Sequence, residues 1–230
     1  MDYKFITKTG LFKGVTEEET KAMLKCLGAE EKKFPKDYTI YHMGQTIRRM
    51  GLLLKGGINI VRTDVWGNAN ILGHILPGEV FAETYACNPN EPMISDVITT
   101  SESAVLFLDV GKVLQTCVSS CSHHERLIRN LLTVLSLKNL NLSQKINHIT
   151  PKTIRERLLS YLSWEAVKQG KQHIDIPFSR QQLADYLSVD RSALSSELSK
   201  MQREGLLSYK KNHFILREIK VDGEYLKLKE

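Results

Sequence analysis

The chain is predicted to be an α+β protein: an antiparallel β-roll over residues 1–120, a long dimerisation helix over 121–149, and a winged helix-turn-helix over 150–230. Three observations carry this. Residues 179–201, SRQQLADYLSVDRSALSSELSKM, place apolar side chains at helical spacing, interrupted once at Ser188-Val189-Asp190. Ahead of residue 115, short extended runs alternate with glycine, proline and asparagine turn signals. Between the two, apolar residues recur on a heptad.

The first element is a short entry helix within LFKGVTEEETKAMLKCLG. Thr16 is its N-cap, glutamates in the first turn suit the helix dipole, and Met23, Leu24 and Leu27 share an apolar face. Extended runs come next. Phe34-Pro35-Lys36-Asp37 precedes YTIYHMG, LLLKGGINIVR turns at Gly56-Gly57, and Trp66-Gly67-Asn68 precedes ANILGHIL. After Pro77-Gly78, SDVITTSESAVLFLDV supplies two more runs. Many short strands at near-regular spacing predict a closed or sandwiched antiparallel structure.

A helix is expected from about His124 to Ile149. Ile128, Leu135, Leu142 and Ile149 stand seven apart, and Leu132, Asn139 and Ile146 interleave with them as the other half of an a/d seam. This seam is expected to face a second copy of the chain. Leu127, Leu131, Leu137 and Leu140 flank it and are expected to face the β-domain. Thr150-Pro151 reads as the stop, and as the N-cap and first residue of the next helix, TIRERLLSYLSWEAVKQG.

In the segment 179–201, Ser179 and Asp190 stand where N-caps are wanted, and Ala184 where two helices cross closely. The polar face of the second helix is Arg191, Ser192, Ser195, Ser196 and Ser199, with Ser179, Arg180 and Gln181 at the start of the first. Short hydroxyls and an arginine suit a helix in the DNA major groove, where they reach phosphates and base edges. An αα-hairpin with a serine-rich solvent face would share this pattern. The residues beyond the second helix distinguish the two: Gly205 caps that helix, and LLSYKKNHFIL reads as a hairpin with Lys210 and Lys211 at a basic tip, a wing for the phosphate backbone.

Composition agrees. The 230 residues carry a net charge of +6 and a pI of about 9.0, which favours a polyanionic partner. No apolar run approaches the ~20 residues of a membrane span, and the polar N-terminus MDYKFITKTG is unlike a signal peptide, so a cytoplasmic protein is expected. No nucleophile–base pair, GxSxG, HExxH or phosphate-loop pattern occurs, so no enzyme is expected. The cysteines, Cys26, Cys87, Cys117 and Cys121, read as reduced thiols in such a compartment. Cys117 and Cys121, four apart and followed by His123 and His124, have a spacing that zinc also uses, without a second ligand pair.

The order of β-roll, long helix and winged helix resembles the Crp/Fnr superfamily of bacterial transcription regulators over essentially the whole chain. PGEVFAETYA at 77–86 is similar to that family's Gly-Glu-x-Phe-Gly-Glu segment. RQQLADYLSVDRSALSSELSKMQREGLL at 180–207 is similar to its helix-turn-helix. The resemblance implies a cyclic-nucleotide-binding-like β-roll and a homodimer on two-fold symmetric double-stranded DNA. By analogy it also implies a contact of Lys168-Gln169-Gly170-Lys171-Gln172 with RNA polymerase.

Departures from the family pattern bear on the effector. In relatives that bind cyclic AMP, a glutamate at the Glu83 position bonds the ribose and an Arg-Ser pair about ten residues later holds the phosphate. Here Met93-Ile94 stand in place of that pair, and Ala82 replaces a glycine. Cyclic AMP is therefore not expected, since charge-assisted bonds worth ~1.5–3 kcal/mol each are missing. A ligand cavity would be lined by Glu83, Tyr85, Met93, Lys138 and Asn139; equally, Glu83 reads as a structural remnant and Asn139 as a register-setting polar seam residue. The family's iron–sulfur sensors use a tight N-terminal cysteine cluster, where this chain has Cys26 alone. A haem through His74 or His42 has no further support, so no metal is expected and no cofactor is named. Ser192 and Ser196 replace the family's common glutamate and arginine, which implies a different half-site. The competing function is a signalling or metal/redox-sensing module on the same roll whose output is not DNA binding.

Overall fold

A computed structural model describes residues 1–64, 66, 69–114, 122–217, 220–221 and 224–225. Cys117 and Cys121 of the sequence analysis, and Gly67-Asn68 of one turn, lie outside the described residues. The chain divides into two compact units, Met1–Leu137 and Lys138–Glu230, with the boundary inside one long helix.

The first unit opens with α1 (Tyr3–Ile6) and α2 (Glu17–Cys26), the latter started by a Thr16–Glu19 capping box. Then come β1 (Glu30–Phe34), β2 (Thr39–Tyr41), β3 (Arg49–Lys55), β4 (Ile58–Thr63), β5 (Ala69–Ile75), β6 (Val80–Phe81), α3 (Glu83–Cys87), β7 (Asp96–Thr99), β8 (Ser103–Asp109) and α4 (Val110–Leu114). Two antiparallel four-stranded sheets result, ordered β1-β8-β3-β6 and β2-β7-β4-β5. The chain passes from β3 of one sheet to β4 of the other through a turn at Gly56, whose φ of 95° suits a residue without a Cβ.

Strand β8 is buried along nearly its whole length, as the run AVLFL requires of a central strand covered on both faces. One continuous core joins it to Leu52 and Leu53 of β3, to Met23 and Leu24 of α2, and to Leu127 and Leu131 of the long helix. Strand β1, EEKKF, was not anticipated because four of its five residues are charged. It is an edge strand, where charge is tolerated and the backbone ladder to β8 supplies the stability.

Helix α5 (Ser122–Ile149) spans the expected long segment. Leu137 and Leu140, expected to face the β-domain, are instead 55% and 57% exposed. The second unit continues with α6 (Ile154–Gln169), β9 (His173–Asp175), α7 (Arg180–Leu187), α8 (Arg191–Arg203), β10 (Leu207–Lys210), β11 (His213–Leu216), β12 (Lys220–Val221) and β13 (Glu224–Tyr225). Its own core gathers Leu158, Tyr161, Leu162, Leu183, Leu187, Leu198 and Phe214, among others. The start of α6 corrects the sequence reading. Thr153, not Thr150, is the N-cap, because Glu156 completes a capping box with it, while the Thr150 hydroxyl donates back to the carbonyl of Ile146 at 2.7 Å. Strand β9 was also missed: three residues long, it joins the hairpin through Ile174, opposite Phe214, in the sheet order β10-β11-β9.

Candidate nucleic-acid interface

Helices α7 and α8 form the helix-turn-helix. Ser179 caps α7 by accepting from the Gln182 amide at 3.3 Å, and Asp190 caps α8 by accepting from the Ala193 amide at 2.9 Å. The Ser192 hydroxyl, and then that amide, hold the Asp190 carboxyl below its usual range. Ser188, in the turn, takes the left-handed conformation (φ 54°). Ala184 is fully buried, as are Leu183, Leu187, Leu194, Leu198 and Met201, so the pair packs through a continuous apolar seam.

Two arginines of α6 complete the frame, and the sequence reading missed both. Arg155 bridges two carboxylates of the α8 segment, Glu197 at 2.6 Å and Glu204 at 2.8 Å. These bonds raise the Arg155 pKa further above its ordinary value. Arg157 donates to the carbonyls of Leu187 and Ser188, each at 3.1 Å, satisfying the end of α7. The signal was available: Glu197 and Glu204 stand seven apart, about two helical turns, and an Arg-Glu-Arg run stands in the first turn of α6.

The outward face of α8 presents exposed Arg191, Ser192, Ser196 and Ser199, with Ser195 half-buried beside them. Ser195 Oγ donates to the Arg191 carbonyl and Ser199 Oγ to the Ser195 carbonyl, both at 2.9 Å. On the wing, Lys210 and Lys211 are exposed, and Lys211 takes φ 55° in the two-residue turn between β10 and β11. Gln181 is exposed and bonds Asp185 at 2.8 Å. Arg180 is set differently: half-buried, its guanidinium lies 5.0 Å from the Tyr209 ring and 5.7 Å from the Phe214 ring, tying α7 to the wing. Burial lowers its pKa. At the end of α6 Gln169 turns inward to the Asp175 backbone, while Lys168 on the same turn and Lys171 beyond the helix are exposed.

Residues 31–120 match the cyclic nucleotide-binding domain, and residues 156–220 match the Crp-like helix-turn-helix domain. The chain belongs to the Crp/Fnr superfamily. Among its curated relatives are the CRP-like cAMP-activated global transcriptional regulator of Mycobacterium tuberculosis, 22% identical across 88% of this chain and 89% of that one, and the transcriptional regulator LdrP of Thermus thermophilus, 24% identical across 77% and 87%. Solved Crp/Fnr-like structures share the fold. OCPA-complexed CprK superposes with a TM-score of 0.64 at 17% identity, over 84% of this chain and 90% of that one. The c-di-GMP responsive global regulator CLP of Xanthomonas campestris does so at 0.57 and 17%, over 86% and 97%. The Crp-like helix-turn-helix implies DNA binding, and no described helix is long and apolar enough to cross a membrane.

In the first unit Glu83 is buried at the start of α3, with Tyr85 half-buried and Ala82 in the left-handed conformation (φ 60°). Met93 is buried in the core and Ile94 is 55% exposed. The Met93 backbone is pinned by bonds to Gln45 (3.0 Å) and Gly44 (2.7 Å). Cys87, on α3, has its thiol pKa raised by burial and then by the Glu83 charge. Lys138 and Asn139 belong to the second unit, half-buried and exposed respectively. Along the heptad of α5, Leu132, Leu142 and Ile146 are 59%, 62% and 58% exposed and Asn139 is exposed, whereas Ile128, Leu135 and Ile149 are half-buried.

Proposed function

We propose that this Crp/Fnr regulator is a homodimer that reads a two-fold symmetric DNA site through α8, with an effector other than cyclic AMP acting in the β-roll. In this reading residues 1–120 sense, 121–149 dimerise and 150–230 bind DNA. The observation that carries it is the fixed, outward row of Arg191, Ser192, Ser196 and Ser199, with Lys210 and Lys211 exposed on the wing. A helix clamped by Arg155 presents its face at a defined angle, which base readout requires. Exposed Leu132, Leu142 and Ile146 support a second copy on α5, since a row of large apolar side chains on one stripe is the pattern of a coiled-coil seam. A dimer would set two reading heads about one DNA turn apart.

Against cyclic AMP stands the chemistry of Met93 and Ile94. Neither offers a charge or a hydroxyl, and a buried thioether side chain does not replace an arginine on a phosphate. The residues present do not fit a cyclic nucleotide phosphate. Within the first unit, Glu83, Tyr85 and Met93 remain the proposed lining for a different effector.

Selection of bound duplexes from a random DNA pool, with the purified protein alone and with added cell-extract metabolites, tests the reading. A symmetric enriched site is expected, and enrichment that needs the extract would identify effector control. Salt-sensitive binding to any duplex without enrichment would refute sequence-specific reading. A Ser196→Arg variant is expected to alter the preferred half-site, because one bidentate arginine–guanine pair discriminates by ~1–3 kcal/mol. An unchanged preference would remove Ser196 from the reading face.

A further inference from the structure

Strands β1 and β2 edge the two different sheets of the first unit, and between them lies a cleft of about 310 Å³. Four aromatic rings line it: Phe34, Tyr38, Tyr41 and Phe107. Phe34 and Tyr38 are 5.1 Å apart at a 31° tilt, and Phe107 stands edge-on to Phe34 at 6.1 Å and to Tyr41 at 6.0 Å. Phe107 is 6% exposed and Tyr38 47%, so the rings run from core to surface. Lys32 and Arg49 line the same cleft, with side chains 49% and 46% exposed.

Among the described residues the two cations are ion-paired with one carboxylate, Glu30, which lies 2.9 Å from Arg49 Nη1 and 3.4 Å from Lys32 Nζ, while Asp109, opposite Arg49 in the strand register, accepts from the Lys112 amide at the start of α4. A positive charge is therefore left over at the rim. Tyr41 adds no competing anion. Its hydroxyl donates to the Arg49 carbonyl at 2.8 Å, and burial pushes its pKa up to about 12.

We propose that this cleft is a binding site for a small aromatic carboxylate, its ring among Phe34, Tyr38 and Phe107 and its carboxylate on Arg49 and Lys32. Aromatic walls alone would suit an organic cation as well as a planar ring. The surplus positive charge at the rim decides between them, because it repels a cation and attracts an acid. Volume sets the size: small-molecule sites run from roughly 300 to 1,000 Å³, and this one stands at the lower end, room for a single ring. A guanidinium has five N–H donors, so Arg49 can hold Glu30 and a ligand together. The site shares no residue with the proposed effector lining of Glu83, Tyr85 and Met93, and it does not depend on the DNA-binding reading.

Titration of the isotopically labelled full-length protein with phenylacetate, 2-phenylethanol and benzyltrimethylammonium, followed by amide chemical shifts, tests this. Phenylacetate is expected to bind saturably, with shifts concentrated on β1, β2 and Arg49, and the alcohol on the order of tenfold more weakly. Arg49→Gln should abolish the preference for the acid over the alcohol. Tyr38→Ala, at an exposed position that leaves the core intact, should weaken both. Equal binding of acid and alcohol, preference for the cation, shifts centred on Glu83 and Tyr85, or no saturation with phenylacetate would each overturn the proposal.

Discussion

Replacing His148 by phenylalanine tests whether the second unit is held together around a buried neutral imidazole. The ring is 3% exposed near the end of α5, with Tyr161 at 5.6 Å and Trp164 at 5.5 Å, both edge-on. Nδ1 shares a 3.1 Å bond with Ser160 Oγ, while Nε2 is buried with no partner among the described residues. Burial pushes the pKa down, opposed by the Glu165 carboxylate on α6. The other ionisable groups around it are Lys145, whose ammonium lies 5.7 Å from the Tyr186 ring, and the phenols of Tyr161 and Tyr186, both raised by burial. A lowered histidine pKa means that the unfolded chain binds more protons than the folded one as pH falls. Stability from this site is therefore complete above the ordinary imidazole value of about 6.5 and is lost progressively as pH drops from there toward the folded pKa. In His148→Phe, loss of the Ser160 bond costs about 1 kcal/mol, and removal of an unpaired buried nitrogen returns about 1–3 kcal/mol. The net gain near neutral pH is about 1 kcal/mol, or roughly 4–8 °C for a unit of this size. Melts followed by Trp164 emission in a Trp66→Phe background, at about pH 7.5 and about pH 5.5, read both quantities. A variant that melts lower at neutral pH, or that keeps the parent's acid sensitivity, would refute the reasoning.

Ser188→Gly should raise the melting temperature of the second unit. It relieves about 1–2 kcal/mol of left-handed strain at φ 54°, set against roughly 0.4–1 kcal/mol of added freedom in the unfolded chain; an unchanged or lower melt would mean that the serine conformation is unstrained. Arg155→Gln should speed hydrogen exchange in the C-terminal half of α8 and weaken DNA binding. Arg155→Lys should fail to restore either, since one ammonium cannot fork between Glu197 and Glu204, and full rescue by lysine would refute the two-carboxylate clamp. Lys211→Gln is expected to weaken binding equally across DNA sequences and to lower the salt slope by about 1, measured from affinities over a salt series. A sequence-dependent loss would instead put Lys211 on a base.

The elements legible in the sequence were those whose stability is local. The caps at Thr16, Ser179 and Asp190, the Gly56 turn and the heptad of α5 each arise from side chains that act within a few residues. What escaped depends on partners distant in sequence. Strand β1 exists because Glu30–Phe34 finds the backbone of Ser103–Phe107, and nothing in EEKKF announces that ladder. Strand β9 exists because Ile174 pairs with Phe214. Among the candidate site residues, position on α8 was readable from periodicity, but the inward turn of Arg180 onto Tyr209 and Phe214 was not. A long cationic side chain at the start of a helix looks the same in sequence whether it meets solvent or an aromatic ring.

The hydroxyls of α8 narrow what such a helix can read. Ser192 donates its proton to Asp190 at 2.5 Å, Ser195 to the Arg191 carbonyl and Ser199 to the Ser195 carbonyl. A hydroxyl whose proton is committed within its own helix still offers oxygen lone pairs, so it accepts from DNA and does not donate. Phosphate oxygens and the guanine O6 and N7 atoms are acceptors and gain nothing from it. The major-groove donors are the cytosine N4 and adenine N6 amines. If α8 lies in the groove as proposed, Ser192, Ser195 and Ser199 therefore favour cytosine or adenine amines on the edges they meet, and Arg191 is left to supply donors for phosphate or guanine. A selected half-site with guanine edges facing the three serines would require these hydroxyls to abandon their intrahelical partners. Such a site would show that the serine rotamers of the free protein are not those that read DNA.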